Sequence, residues 1–196
     1  MKSPSQMSKT AVLVEGALMV AISFVLSLIP VFELPWGGSA TCFSTLPLIV
    51  MSMRHGGKWG VGTAAVYSIT QMIQGTDSLS AAMAATNVFG LIGCALIDYL
   101  MGYSVLGFSG GIARRIKNPA TGLVVGILGT GFARLCCSFV SGILIWGSFA
   151  GDMPVWLYSL TYNASWCVPD VAITLAAALL LSRAKVLALL PAKADA

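Results

Sequence analysis

A chain of 196 residues that is 57% hydrophobic and 9% charged, with a mean hydropathy of +0.88, is far from the roughly 25% charged composition of soluble domains, which excludes an ordinary soluble fold. At roughly 20 apolar residues per membrane span, this length holds about five or six spans and leaves no room for a separate soluble domain. The net charge of +4 reports orientation in a membrane rather than nucleic-acid binding, because ten of the eleven basic residues sit at the ends of apolar runs.

The chain opens with the polar MKSPSQMSKT, carrying Lys2 and Lys9. The apolar run from Ala11 to Phe32 that follows lacks an A-x-A cleavage site and is too long for a signal-peptide core, so it reads as a retained first helix, 11–29. A loop with Trp36 is expected over 30–43. A helix over 44–53 is short for a full span and calls for tilt or shielding by its neighbours. In MRHGGKW, His55, the only histidine, reads as a turn residue rather than a catalytic base. A third helix is predicted over 58–73, a loop over 75–85, and a fourth helix over 89–112 with Asp98 and Tyr99 in ALIDYLMGY. The fifth helix, 120–146, holds Arg134, Ser138 and Trp146. After a loop at 147–154, the sixth, 156–181, begins with YSLTYNASW. The expectation is therefore an all-α integral membrane protein, one transmembrane domain over 1–196 with six transmembrane helices.

Charge supports this arrangement. Lys2, Lys9, Arg54, Lys58, Arg114, Arg115, Lys117, Arg183, Lys185 and Lys193 fall at the helix ends on the N-terminal side, as membrane-flank anchors. The opposite loops carry Glu33, Asp77 and Asp152. The positive-inside rule then makes both termini cytoplasmic. Five cysteines, an odd number without C-x-x-C spacing, read as small core residues rather than a disulfide framework or a metal site.

Glu15, Asp98, Arg134 and Asp170 lie inside predicted helices, where a charge costs at least ~2.5 to 3.5 kcal/mol and needs a partner within the bundle. Arg134 is expected to pair with Glu15 or Asp170. Asp98 is the better candidate for a cationic or amine-bearing ligand. Trp36, Trp146 and Trp156 fit an interfacial aromatic belt, but the amide and hydroxyls around them do not. Tyr158, Tyr162 and Asn163 share one broad helix face, and the Asn163–Ser165 sequon inside a helix is read as accidental. Aromatic walls with one amide and one carboxylate suit a small, flat, nitrogen-rich molecule, especially a cation. There is no Walker A sequence, G-x-S-x-G elbow or H-E-x-x-H motif, so neither an enzyme nor a cofactor or metal is expected. A binding subunit that borrows its energiser fits this chain better than a complete pump.

EGALMVAISFVLS, LPLIVMSMRHGGKWG, DYLMGYSVLGFSGG, FARLCCSFVSGILIWGSFA and LYSLTYNASWCVPD together resemble the thiamine-specific S component of energy-coupling factor (ECF) vitamin transporters, over about residues 11–183. The resemblance implies a six-helix ECF S-component-like bundle in a prokaryotic plasma membrane. It would capture thiamine from outside and work with a transmembrane coupling protein and two cytoplasmic ATPases. It implies an A-x-x-x-A partner interface at Ala17 and Ala21, and substrate-binding positions at Trp36, Asp98, Tyr99, Trp146, Tyr158 and Asn163. Two departures are expected to matter. Asp98 stands where the family usually has the longer Glu, and Ser138 stands where it has a histidine. Ser hydrogen-bonds but neither stacks nor titrates like imidazole. A related thiamine precursor or another nitrogen-rich heterocycle is therefore an alternative ligand. A membrane enzyme using Asp98 or Asp170, or a structural protein without a ligand, are further alternatives from other classes.

Overall fold

A computed structural model describes residues 7–34 and 38–183. Helix α1, Lys9–Ser27, starts at Ser8, whose Oγ accepts a hydrogen bond from the Ala11 amide at 3.2 Å. The segment expected as a plain loop over 30–43 instead contains an antiparallel hairpin, β1 Pro30–Glu33 with β2 Ser39–Thr41, which sets Phe32 opposite Ala40 and Glu33 opposite Ser39. Helices α2, Leu46–His55, and α3, Gly57–Gln74, are separated only by Gly56 at φ +89°, a conformation that favours glycine. The Arg114 guanidinium donates to the carbonyls of Met53 and Arg54 (3.3 and 3.2 Å), satisfying the free C-terminal end of α2.

The loop expected over 75–85 is corrected to helix: α4 is Thr76–Gly93. Its polar residues Thr76, Asp77 and Ser78 read as loop, but Asp77 in the first turn suits a helix N-terminus, and LSAAMAA favours helix. The break comes later, at Thr86 (φ −141°, ψ 27°) and Asn87 (φ 61°, ψ −155°), where asparagine tolerates positive φ better than most residues. From there the fourth pass continues through a π-helical stretch, Cys94–Met101, the short α5, Gly102–Ser104, a 3₁₀ turn, Val105–Phe108, and α6, Ser109–Ala113. Helix α7, Pro119–Leu144, is capped by Asn118 Oδ1, which accepts from the amides of Ala120 and Thr121, with Pro119 preset at the first position. Helix α8 is Val155–Arg183.

Among the described residues these form a bundle of six helical passes, four of which are long and apolar enough to cross a membrane: Lys9–Ser27, Thr76–Ala113, Pro119–Leu144 and Val155–Arg183. The 10 residues of α2 rise only about 15 Å, half of a ~30 Å hydrocarbon core. Accordingly α2 is shielded, buried from Pro47 to Arg54 among α1, α3, α6 and α8. Close crossings come from small residues. Ser52 Oγ donates to the Gly107 carbonyl and accepts from the Gly110 amide at 2.9 Å. A Cβ on Gly60 would lie 2.6 Å from the Gly107 oxygen, so α3 and the fourth pass touch backbone to backbone.

The chain direction of these helices gathers Lys9, Arg54, Lys58, Arg114, Arg115, Lys117 and Arg183 at one end of the bundle, and Glu33, Asp77 and Asp152 at the other. Two readings change at the basic end. Arg54 is no exposed anchor: its side chain is 6% exposed and its Nε lies 2.7 Å from Glu15 Oε1. His55 is the last residue of α2, with Nε2 3.0 Å from Glu15 Oε2, rather than a residue of the turn. Glu15 thus ties α1 to α2. All five cysteines are free; Cys94 and Cys167 are buried as core residues should be, while Cys136 is exposed.

Candidate ligand cavity

At the acid-bearing end the helices enclose a cavity of about 540 Å³, within the range of small-molecule sites. Asp98, Tyr99, Ser138, Trp146, Tyr158 and Asn163 all line it. Trp36 lies outside the described residues. Ala17 and Ala21 are elsewhere, exposed on α1.

Asp98 is carried by the π-helical stretch, a departure from α-helix that recurs at functional sites. Its Oδ2 accepts from Ser141 Oγ and, at 3.4 Å, from the Trp146 indole Nε1. Both bonds converge on Oδ2, which holds the carboxylate in place, and the Cys94 thiol one helical turn earlier is a third hydrogen-bonding neighbour. Trp146 in turn lies against Phe149, ring centroids 5.7 Å apart and tilted by 46°.

Across the cavity, Asn163 is buried and its amide is mostly committed to scaffold. Nδ2 donates to the carbonyls of Ser138 (3.1 Å) and Ser159 (2.9 Å), and Oδ1 accepts from Trp166 Nε1 at 3.3 Å. An amide oxygen has two lone pairs, so one acceptor position on Oδ1 is left for an amine. Gly142 permits this arrangement: a Cβ there would meet the Ser159 side chain and lie 3.1 Å from Asn163 Nδ2. Tyr158 and Tyr162 pack on each other at 5.6 Å and 37° on the same wall.

The floor was not foreseen as part of the site. Arg134 lines the cavity with its guanidinium 4.4 Å over the Tyr103 ring and 4.8 Å over that of Trp166, a two-sided cation–π contact. Of the two acids considered for it, Asp170 is the partner: Nη1 to Oδ2 is 3.0 Å, and both side chains are buried. Asp170 Oδ1 also accepts from the Thr41 amide at 3.4 Å, which anchors the hairpin. The available signal was position: Arg134 precedes Ser138 by one helical turn. A second wall was also missed, formed by Ser27 at the end of α1 with Gln71 and Gln74 at the end of α3. Two glutamines three apart in the apolar ITQMIQG were its trace.

The chemistry is that of binding. Among the described residues, three acids, Glu33, Asp77 and Asp98, line the cavity against one arginine that is already paired. His55 is at the other end of the bundle, and among the described residues no three His, Cys, Asp or Glu side chains gather as for a metal.

Fold and cavity together define a polytopic membrane protein that encloses a small-ligand site towards one membrane face. Residues 13–189 match the thiamine transporter protein (Thia_YuaJ) family, and the chain belongs to it. The thiamine transporter ThiT of Bacillus subtilis (strain 168) is 30% identical over 173 residues, covering 82% of this chain and 84% of that relative. The ThiT of Lacticaseibacillus paracasei is 25% identical over 186 residues, covering 87% and 86%. Among solved structures, ThiT from Listeria monocytogenes superposes with a TM-score of 0.75 at 22% identity, over 93% of this chain and 99% of its own. An S component of a bacterial ECF transporter superposes with a TM-score of 0.54 at 16% identity, covering 91% and 97%. At these identities the structural likeness establishes the fold alone, a bundle of six helical passes.

Proposed function

We propose that this chain is the substrate-binding S component of an ECF-type importer and captures thiamine in the cavity at its acid-bearing end. The observation that carries this reading is Asp98, held through Oδ2 by Ser141 and Trp146 and lining the cavity together with Trp146, Tyr158 and Asn163. A thiazolium cation is drawn to the carboxylate and to an aromatic face. The aminopyrimidine stacks on the tyrosine wall and donates its amine to Asn163 Oδ1. Tyr99 closes the wall behind Asp98, and Trp36, outside the described residues, is the further binding position that the family resemblance implies. The acid-bearing end faces outside and both termini are cytoplasmic, by the positive-inside rule. The whole chain acts as one transmembrane domain in the lipid bilayer of a prokaryotic plasma membrane.

Uptake is driven by partners: a transmembrane coupling protein and two cytoplasmic ATPases. Ala17 and Ala21, four residues apart on an exposed face of α1, let a partner helix approach closely. Titrating thiamine into the detergent-purified, dialysed protein is expected to give saturable tryptophan quenching at submicromolar ligand. A folded protein that shows no saturable response contradicts thiamine as the substrate.

A second reading, capture of a thiamine precursor or related heterocycle, is favoured by Ser138, which is buried and lines the cavity with a side chain too small to stack. Ser138→His fills that space. If the site is built for thiamine, affinity should tighten about fivefold from the added ring contact. Weaker thiamine binding together with saturable binding of a precursor would favour the second reading.

A further inference from the structure

The cavity wall formed by α1 and α3 holds neither ring of the ligand, yet its polar side chains are organised. Gln71 Nε2 donates to Ser27 Oγ at 3.0 Å, and Tyr103 Oη donates to Gln71 Oε1 at 3.2 Å. Gln74 Nε2 also donates to Ser27 Oγ, at 3.1 Å. Ser27, Gln71, Gln74 and Tyr103 all line the cavity. A glutamine amide has two N–H donors and two acceptor lone pairs, and these contacts use one of each on Gln71. The side chain is therefore held in one orientation at both ends and still has a donor and an acceptor to offer. Unlike Asp98, this wall is uncharged.

We infer that Gln71 is a specificity-determining residue that hydrogen-bonds the uncharged hydroxyl tail of the ligand, with Ser27 and Tyr103 holding its amide in place. This rests on the thiamine reading above. The cationic ring is assigned to Asp98 and Trp146, and the amine-bearing ring to the α8 wall. The hydroxyethyl group on the cationic ring is the ligand's hydroxyl-bearing group, and these contacts leave it unassigned. It leaves the ring on the side away from α8, beside the fourth pass. The fourth pass meets the end of α3 there, through Tyr99 Oη to the Gly75 carbonyl (3.4 Å) and Tyr103 Oη to Gln71. A hydroxyl both donates and accepts, and the amide of Gln71 can satisfy both. A site built to hydrogen-bond a hydroxyl rejects the analogue that lacks it, because its own polar groups are left unpaired.

The test uses the full-length protein in detergent, with thiamine and an analogue whose hydroxyethyl group is replaced by ethyl. Wild-type protein should bind the ethyl analogue about tenfold more weakly than thiamine, the effect of one well-made hydrogen bond in a buried site. Gln71→Leu should lose that discrimination, with thiamine weakened about tenfold and the analogue unchanged. Ser27→Ala, which frees the amide without removing it, should reduce the discrimination part of the way. Equal binding of both compounds by the wild type overturns the inference without any variant. So does a Gln71→Leu protein that binds both compounds equally weakly relative to wild type, which would mark a purely structural role. If the wild type binds neither compound, the thiamine reading fails and this one with it; thiamine binding without discrimination removes this one alone.

Discussion

Asp98→Asn is expected to weaken thiamine binding by about a hundredfold while leaving thermal stability close to wild type. The two parts of this expectation have different causes. An asparagine Oδ1 can still accept from Ser141 Oγ and Trp146 Nε1, so the scaffold around position 98 survives. The charge does not. Removing one member of a buried, hydrogen-bonded charge pair costs about 2 to 5 kcal/mol, and a hundredfold corresponds to about 2.7 kcal/mol. The effect should be specific to charge: an analogue with a neutral aromatic ring in place of the thiazolium should lose little affinity in the variant. Asp98→Glu keeps the negative charge on a side chain one methylene longer and should retain thiamine binding. Unchanged thiamine affinity in Asp98→Asn would remove the carboxylate from recognition, and equal losses for the charged and neutral compounds would reduce it to a packing role.

Much of this site was legible before any coordinates, and the reason is the solvent. In a chain of 9% charged residues, each polar side chain inside an apolar run is conspicuous because the bilayer penalises it. Asp98, Arg134 and Asp170 were visible on that ground, and Trp146, Tyr158 and Asn163 through their clustering near one membrane level. The six helices were legible for the same reason, since apolar runs bounded by charge and glycine mark the passes. What escaped notice depended on pairing across the bundle. Arg134 had two acids within its choice, and only the packing of α7 on α8 selects Asp170. Glu15 was open to Arg134 as well, but the hydrogen bonds that claim it come from Arg54 and His55 on α2, residues that charge placement had assigned to the membrane flank. The hairpin was hidden because its strands are four and three residues long, shorter than an alternation pattern needs to be recognised. Gln71 and Gln74 carry no charge and so raised no alarm, although the same desolvation argument applies to an amide in weaker form.

Asp170→Leu is expected to destabilise the folded protein by about 3 to 5 kcal/mol, more than any other single change considered, because it leaves the Arg134 guanidinium buried without its counter-charge. The rings of Tyr103 and Trp166 flank that guanidinium at 4.4 and 4.8 Å, but cation–π contact is worth about 2 kcal/mol when desolvated and does not replace an ion pair. Thermal unfolding in detergent would register the loss as a lower Tm. The double variant Arg134→Met, Asp170→Leu removes both charges and should recover most of the stability, since an apolar pair of similar volume pays no desolvation cost. Recovery should fall short by about 1 kcal/mol, because the Thr41 amide has lost Asp170 Oδ1 as its acceptor in both variants. That residual deficit should appear as faster proteolysis within the hairpin at 30–41 than in the wild type. A single variant as stable as the wild type would contradict the burial of a charged Arg134. A double variant no better than the single would mean that the pair contributes through shape rather than charge.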